Sequence, residues 1–166
     1  KIISPQIYLF IFFFGISQNA HAQNWIWAQK VGANKSDKVT SLKTDSAGYI
    51  YTAGYFSNII NLGTNALTLN YTSNAYSKEI FLAKYDSTGF CYWAKSGGEF
   101  FDDRISGMDV DEEGNSVATG TFWETGGIDI GGNIISGSTY GGGDQCFIVK
   151  HDKNGVYQWG TYVCSN

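Results

Sequence analysis

Short runs of alternating apolar and polar residues, cut at regular intervals by turn residues, organise this chain. Tyr49–Phe56, Ile80–Tyr85, Ser116–Phe122 and Cys146–His151 are rich in aromatic and β-branched residues and have strand length rather than helix length. Between such runs the pattern Asp-x-x-Gly occurs four times, at Asp45–Gly48, Asp86–Gly89, Asp111–Gly114 and Asp152–Gly155. Asp accepts hydrogen bonds from backbone N–H groups just ahead of it, and Gly takes φ > 0 without a Cβ clash. Each copy therefore predicts a tight corner between antiparallel strands. No segment past the first 22 residues sustains a capped apolar stripe of period 3.6, so the fold is predicted all β.

The pattern repeats. Trp27, Trp93 and Trp159 are separated by 66 residues each time. Gly32/Gly98, Asp37/Asp103, Asp45/Asp111, Gly48/Gly114, Gly54/Gly120, Phe56/Phe122, Phe81/Phe147, Lys84/Lys150, Asp86/Asp152 and Gly89/Gly155 recur at the same distance. A fixed period marks a repeat architecture, and four strands per unit is the content of one propeller blade. The expected fold is a partial β-propeller, with two four-stranded antiparallel blades plus one strand of a third. The expected boundaries are 23–92 and 93–158 for two repeats and 159–166 for the start of a third. Two blades do not close a ring, which points to a piece of a longer protein. The surplus over an ordinary blade of roughly 40–45 residues lies at 57–78 and 123–144, whose variable length reads as loop.

The recurring residues have structural explanations. A repeated strand glycine (Gly54, Gly120) suggests a bulge or close backbone approach. Phe56 and Phe122 are expected to fill the space between blades. Counting outward from the Asp–Gly corners places Leu82 opposite Trp93 and Ile148 opposite Trp159. Lys84 and Lys150, inside strands, need partners: an aspartate or a tryptophan face as structural residues, or a ring of charge lining a channel as functional ones.

The first segment stands apart. Ile7–Ile16 is an apolar run of signal-peptide length, and Ala20-His21-Ala22 is a small-x-small cleavage pattern. Residues 1–22 are therefore expected to be removed, leaving Gln23 first and no membrane span. Loss of Lys1 shifts the formal net charge from −4 to −5. An acidic chain disfavours nucleic acid and anionic membrane as partners. Export permits disulfides, but Cys91, Cys146 and Cys164 are odd in number and do not follow the period, so small buried strand residues are the expected reading.

No catalytic or cofactor-binding set stands out. Asp109, Asp111, Glu113 and Gly114 match part of an EF-hand loop, but position 12 is Gly120 and strands flank the motif, so a hairpin corner is expected and no metal. His151 lacks a serine or cysteine nucleophile beside it in the pattern. Glu99, Asp102, Asp103 and Glu124 offer carboxylates for glycoside hydrolysis, with no spacing that selects a pair. Tyr71, Tyr76, Trp123 and Tyr140, in the long insertions, are candidate ligand-contact aromatics, or else covers for the blade's own apolar face.

The run Asp103–Asn115, then Ala118–Phe122, then Asp144–Gly155 and Trp159 resembles the bacterial SBBP β-propeller repeat. The first repeat departs from that pattern at Tyr49 and at Lys78–Glu79. The resemblance covers about residues 24–166 and implies a secreted or cell-surface repeat protein; the family carries no shared catalytic residues to transfer. The leading expectation is a non-enzymatic interaction or display scaffold without a cofactor. Its partners would be further repeats of the same chain and a protein or glycan ligand. Carbohydrate binding by the aromatic insertions is a second expectation. A third is a propeller lyase or glycosidase with its catalytic residues outside these 166.

Overall fold

A computed structural model of the chain describes residues 26–32, 36–63, 65–68, 77–98, 101–123, 127–137 and 143–164. The expected 1–22 leader lies outside them, as do Tyr71, Tyr76, Tyr140, Glu99 and Glu124. The fold is all β. Twelve strands are described: β1 (Lys38–Thr44), β2 (Ile50–Phe56), β3 (Ile59–Leu62), β4 (Asn65–Thr68), β5 (Glu79–Tyr85), β6 (Cys91–Gly97), β7 (Arg104–Val110), β8 (Ser116–Trp123), β9 (Ile128–Asp129), β10 (Ile134–Ile135), β11 (Asp144–His151) and β12 (Tyr157–Cys164). They form two antiparallel four-stranded sheets, ordered β1-β2-β5-β6 and β7-β8-β11-β12, and two small ribbons, β3-β4 and β9-β10.

All four Asp-x-x-Gly segments are hairpin corners with one geometry. The glycine N–H donates to the aspartate carbonyl at 2.9–3.1 Å, and the aspartate N–H donates to the carbonyl four residues on at 2.9–3.0 Å. The aspartate Oδ1 accepts the N–H of that fourth residue: Tyr49, Phe90, Asn115 or Val156. Gly48, Gly89, Gly114 and Gly155 have φ of 77–86°, which only glycine adopts freely. The Asp109–Gly114 segment is such a corner. Asp109 pairs with Lys43, and Asp111 receives Asn115, so these carboxylates are aimed at different partners.

The hairpins close one residue wider than the Asp–Gly count, and a bulge next to Tyr85 and to His151 adds another step. Trp93 is therefore opposite Lys84, not Leu82, and Trp159 is opposite Lys150, not Ile148. The slip is two residues, so each side chain keeps its expected face. The strand carrying Trp159 was expected to begin a third blade; it pairs with β11 and completes the second sheet.

Gly54 and Gly120 sit opposite bulges in β1 (Val39/Ser41) and β7 (Ile105/Gly107). A Cβ at either glycine would overlap the carbonyl oxygen of Lys38 or Arg104, and would come within 2.9 Å of Phe81 or 2.8 Å of Phe147. Each phenylalanine is the glycine's cross-strand partner and lays its ring in the space left.

The sheets stack face to face. Tyr51, Ala53, Ile80 and Leu82 of the first meet Ile105, Ala118, Phe122, Phe147 and Val149 of the second in one buried cluster. Phe122 fills that seam as expected. Phe56 lies on the other face of the first sheet, with Phe81, Tyr85, Ile60 and Leu62. The insertions are more than loops. Ile60 and Leu62 of β3 are fully buried, and Ile128, Ile130 and Ile135 around β9-β10 pack into the seam. Gly131 N–H donates to Ser96 O and Gly98 N–H to Asp129 O, tying this second ribbon to the first sheet's outer strand.

Candidate functional site

The seam is held by a contact that itself repeats. Trp93 Nε1–H donates to Lys153 O (3.2 Å), within the corner 60 residues ahead, and the indole covers Gly155. Trp27 does the same to Ser87 O (2.9 Å) and Gly89. Tyr51 OH donates to Gly114 O (2.8 Å) and to Asp45 Oδ2 (3.2 Å). Burial, with Asp45 beside it, raises the pKa of this phenol.

Lys84 is buried in the same seam. Its Nζ donates to Lys153 O (3.0 Å) and stands 4.2 Å from the Tyr49 ring and 4.9 Å from the Tyr51 ring. Burial lowers its pKa, opposed by Asp45. The partners are tyrosines and a carbonyl rather than a tryptophan face. Lys84 is 6 % exposed, enclosed between the two sheets rather than turned to an open surface. Lys150 is half-buried and reaches Asp111 Oδ2 at 3.5 Å.

His151 is 1 % exposed, set between Trp93 and Tyr157. Burial pushes its pKa down to about 4, and Lys95 adds to the shift. Its Nδ1 has no hydrogen-bond partner among the described residues. The ring is a neutral core side chain in the place Tyr85 holds one period earlier. Cys91 is buried beside Phe81 and Tyr85, while Cys146 is half-buried and its backbone pairs in register with that of Cys164. Among the described residues, no three His, Cys, Asp or Glu side chains gather where a metal ion would fit.

A different kind of site opens beside Trp123, at the end of the second sheet. A cleft of about 420 Å³ is lined by Ser77, Phe101, Asp102, Arg104, Thr121, Trp123 and Asp144. Trp123 and Phe101 are exposed apolar rings. Asp102 Oδ2 accepts from Lys78 Nζ (2.8 Å) and Arg104 Nη2 (2.9 Å), and both cations lie over the Tyr55 ring at 5.7 and 5.8 Å. Burial pushes the Asp102 carboxyl up, but the two cations outweigh it and hold its pKa below the ordinary value. A glycosidase acid needs the opposite shift. The cleft thus offers flat apolar surface beside fixed donors and acceptors, which suits binding.

Of the four candidate aromatics, only Trp123 is among the described residues. Phe101 and Arg104 do not stand out in the hydrophobic and polar pattern, yet the sequence carries a signal for them. The cleft residues are where the second repeat departs from the first: Trp123 replaces Ser57, Asp102 replaces Ser36, Phe101 replaces Lys35 and Arg104 replaces Lys38.

No family model matches the chain. Among curated proteins it is similar to an uncharacterized WD repeat-containing protein, L264, of Acanthamoeba polyphaga mimivirus, at 30 % identity over 173 residues. The alignment covers 87 % of this chain and 12 % of that protein, so the chain spans a small part of its relative's length. WD repeats build four-stranded propeller blades, in agreement with the two sheets. The Trp-Asp pair itself is absent, since the five tryptophans are followed by Ile26, Ala28, Ala94, Glu124 and Gly160.

Proposed function

We propose that this chain is part of a secreted or cell-surface β-propeller repeat protein of the SBBP type, an interaction and display scaffold rather than an enzyme. One observation carries the reading. The recurring Trp, Gly, Phe, Asp and Lys residues described here serve strand packing, corners or the seam, while residues that break the period gather round the open cleft beside Trp123. A constant framework that presents a variable cleft is how binding repeats work. The similarity to a WD repeat-containing protein supports the propeller part of the reading. Export rests on the 7–16 apolar run and Ala20-His21-Ala22. Expressed with its leader in a secreting host, the protein is expected to be recovered outside the cytoplasm with Gln23 at its N-terminus. A cytoplasmic product starting at Lys1 would refute export.

The cleft's chemistry favours a glycan as its ligand. Exposed Trp123 and Phe101 provide stacking surface, and Asp102, Arg104 and Asp144 provide hydrogen bonds for hydroxyl groups. On a glycan array, the protein is expected to retain one class of glycan. Trp123→Ala is expected to weaken that binding by about tenfold or more, as removal of a central aromatic anchor does. Tyr140→Ala tests the second aromatic of the same 123–144 insertion. Glycan binding unchanged in both variants would remove those rings from the site, and no binding to any glycan would remove the carbohydrate reading and leave a protein ligand.

A further inference from the structure

Another opening lies at the seam itself, at the end of the strands that carries the corners. It holds about 470 Å³, with Tyr49, Lys84, Tyr92 and Trp93 of the first repeat on one side and Glu112, Glu113 and Lys153 of the second on the other. Its walls come from both repeats, so it belongs to their junction and not to an outer face. The two corners are braced across it, since Ser46 Oγ donates to Glu112 O (3.4 Å) and Tyr51 OH to Gly114 O (2.8 Å). Tyr92 is the extra residue of the β6 bulge, passed over where Cys91 and Trp93 take successive cross-strand partners. A bulge re-aims a side chain. Here Tyr92 joins Trp93 along one cavity, its ring edge-to-face with Tyr49 at 5.4 Å and 54 % exposed.

The charges are unevenly used. Asp45 is spent on the Ala47 and Tyr49 N–H groups and the Tyr51 hydroxyl. Lys84 and Trp93 are both committed to Lys153 O. Glu112 and Glu113 are exposed, and among the described residues neither carboxylate has a hydrogen-bond or ion-pair partner. These are also positions where the repeats differ. Ser46 and Ala47 stand where Glu112 and Glu113 do, and Asn115 and Gln158 where Tyr49 and Tyr92 do. The second sheet has the same bulge, with Gln158 at its extra position. The clasp repeats; the rings and acids around the cavity do not.

We propose that this cavity receives an arginine side chain from a basic segment of a partner protein, its guanidinium set over the Tyr92 ring and paired with Glu112 and Glu113. An exposed aromatic ring beside two uncompensated carboxylates attracts a planar organic cation. A metal ion does not suit the place, since no three acids converge there among the described residues. A lysine ammonium would meet the charge but offers neither the stacking plane nor the donor fork. The chain's net charge of −4 favours a basic partner in the encounter as well. β8 runs from Ser116 beside the corner to Trp123 at the cleft, so the two sites stand at opposite ends of the strands. The inference rests on the scaffold reading but not on the cleft's ligand, so failure of glycan binding leaves it standing.

The test is calorimetric titration of the full chain with an arginine tetrapeptide, with its citrulline counterpart (same shape, no charge) and with its lysine counterpart (same charge, no plane). The arginine peptide is expected to bind, more weakly as salt is added. The citrulline peptide is expected to bind at least tenfold more weakly and the lysine peptide about fivefold more weakly. Combined Glu112→Gln and Glu113→Gln is expected to weaken arginine binding about tenfold, and Tyr92→Ala about fivefold. Lys153→Gln removes the opposing charge on the rim and is expected to strengthen it about twofold. Trp123→Ala, at the other end, is expected to leave it unchanged. The substituted side chains are exposed, and unchanged circular dichroism verifies folding. No binding of the arginine peptide, equal binding of either counterpart, glutamine or Tyr92→Ala variants that bind like the native chain, or loss of binding in Trp123→Ala would each overturn the proposal.

Discussion

Replacing Gly120 with alanine is expected to destabilise the fold by about 3 kcal/mol, the upper part of the range for overpacking a close-packed interior. Gly120 does not need glycine for its φ; it needs glycine for space. An added Cβ overlaps the Arg104 carbonyl, which belongs to a bulged strand, and presses on Phe147, which is fully buried in the seam. Neither neighbour yields cheaply. Moving the carbonyl breaks the bulge, and turning the ring disturbs both sheets at once. Gly107, on the bulge itself, is the control. Nothing lies within 4 Å of a Cβ placed there, so Gly107→Ala is expected to stay within about 0.5 kcal/mol of the native protein. Urea titration separates the two, with a lower midpoint and unchanged slope for Gly120→Ala. Equal midpoints would show that the Arg104 carbonyl and the Phe147 ring make room for the added Cβ at little cost.

The second large effect is a loss of stability on mild acidification. His151 has a folded pKa of about 4 against an ordinary 6.5. Above pH 6.5 the ring is neutral in both states and its burial costs nothing in protonation. As pH falls from 6.5 towards 4 the unfolded chain takes up a proton that the folded chain refuses, so stability declines across that window and levels off below it. Each tenfold difference in proton affinity between the two states is worth about 1.4 kcal/mol, which makes the whole loss roughly 3 kcal/mol. The groups facing the ring are Trp93, Tyr157, Lys95 and Asp152. Lys95 reinforces the downward shift and Asp152 opposes it. His151→Phe keeps a buried ring and removes the titration, so its stability is expected to be flat over the same window. An NMR titration placing the His151 pKa near 6.5, or identical pH slopes in the two proteins, would contradict this account.

What is legible in the sequence is what repeats. The four corners announce themselves because their hydrogen bonds are local: Asp45 and its three counterparts satisfy backbone groups within four residues, so residue type at fixed spacing is enough. Gly54 and Gly120 announce close approach, though not what approaches. Register is less visible, since the bulges beside Tyr85 and His151 have no residue signature, and Trp93 lies opposite Lys84 instead of Leu82. The ribbons β3-β4 and β9-β10 are hidden for another reason. Ile60, Leu62, Ile128 and Ile130 are few, sit in segments of unequal length, and reveal their burial only once two sheets are brought together. The cleft is the hardest to see. Trp123 stands out as an aromatic in an insertion, but Phe101, Asp102 and Arg104 come from the start of the same repeat and meet it only once β7 pairs with β8.

The indole contact that reaches 60 residues forward has a genetic consequence. Since Trp27 and Trp93 close on corners of one geometry, an unequal crossover that inserts or deletes a whole 66-residue unit would leave each remaining clasp with the same kind of corner to close on. Copy number in such a gene is free to drift without new packing having to be invented. Divergence then has somewhere to accumulate without disturbing the clasp, at positions such as Ser57 and Trp123 where neighbouring units already differ.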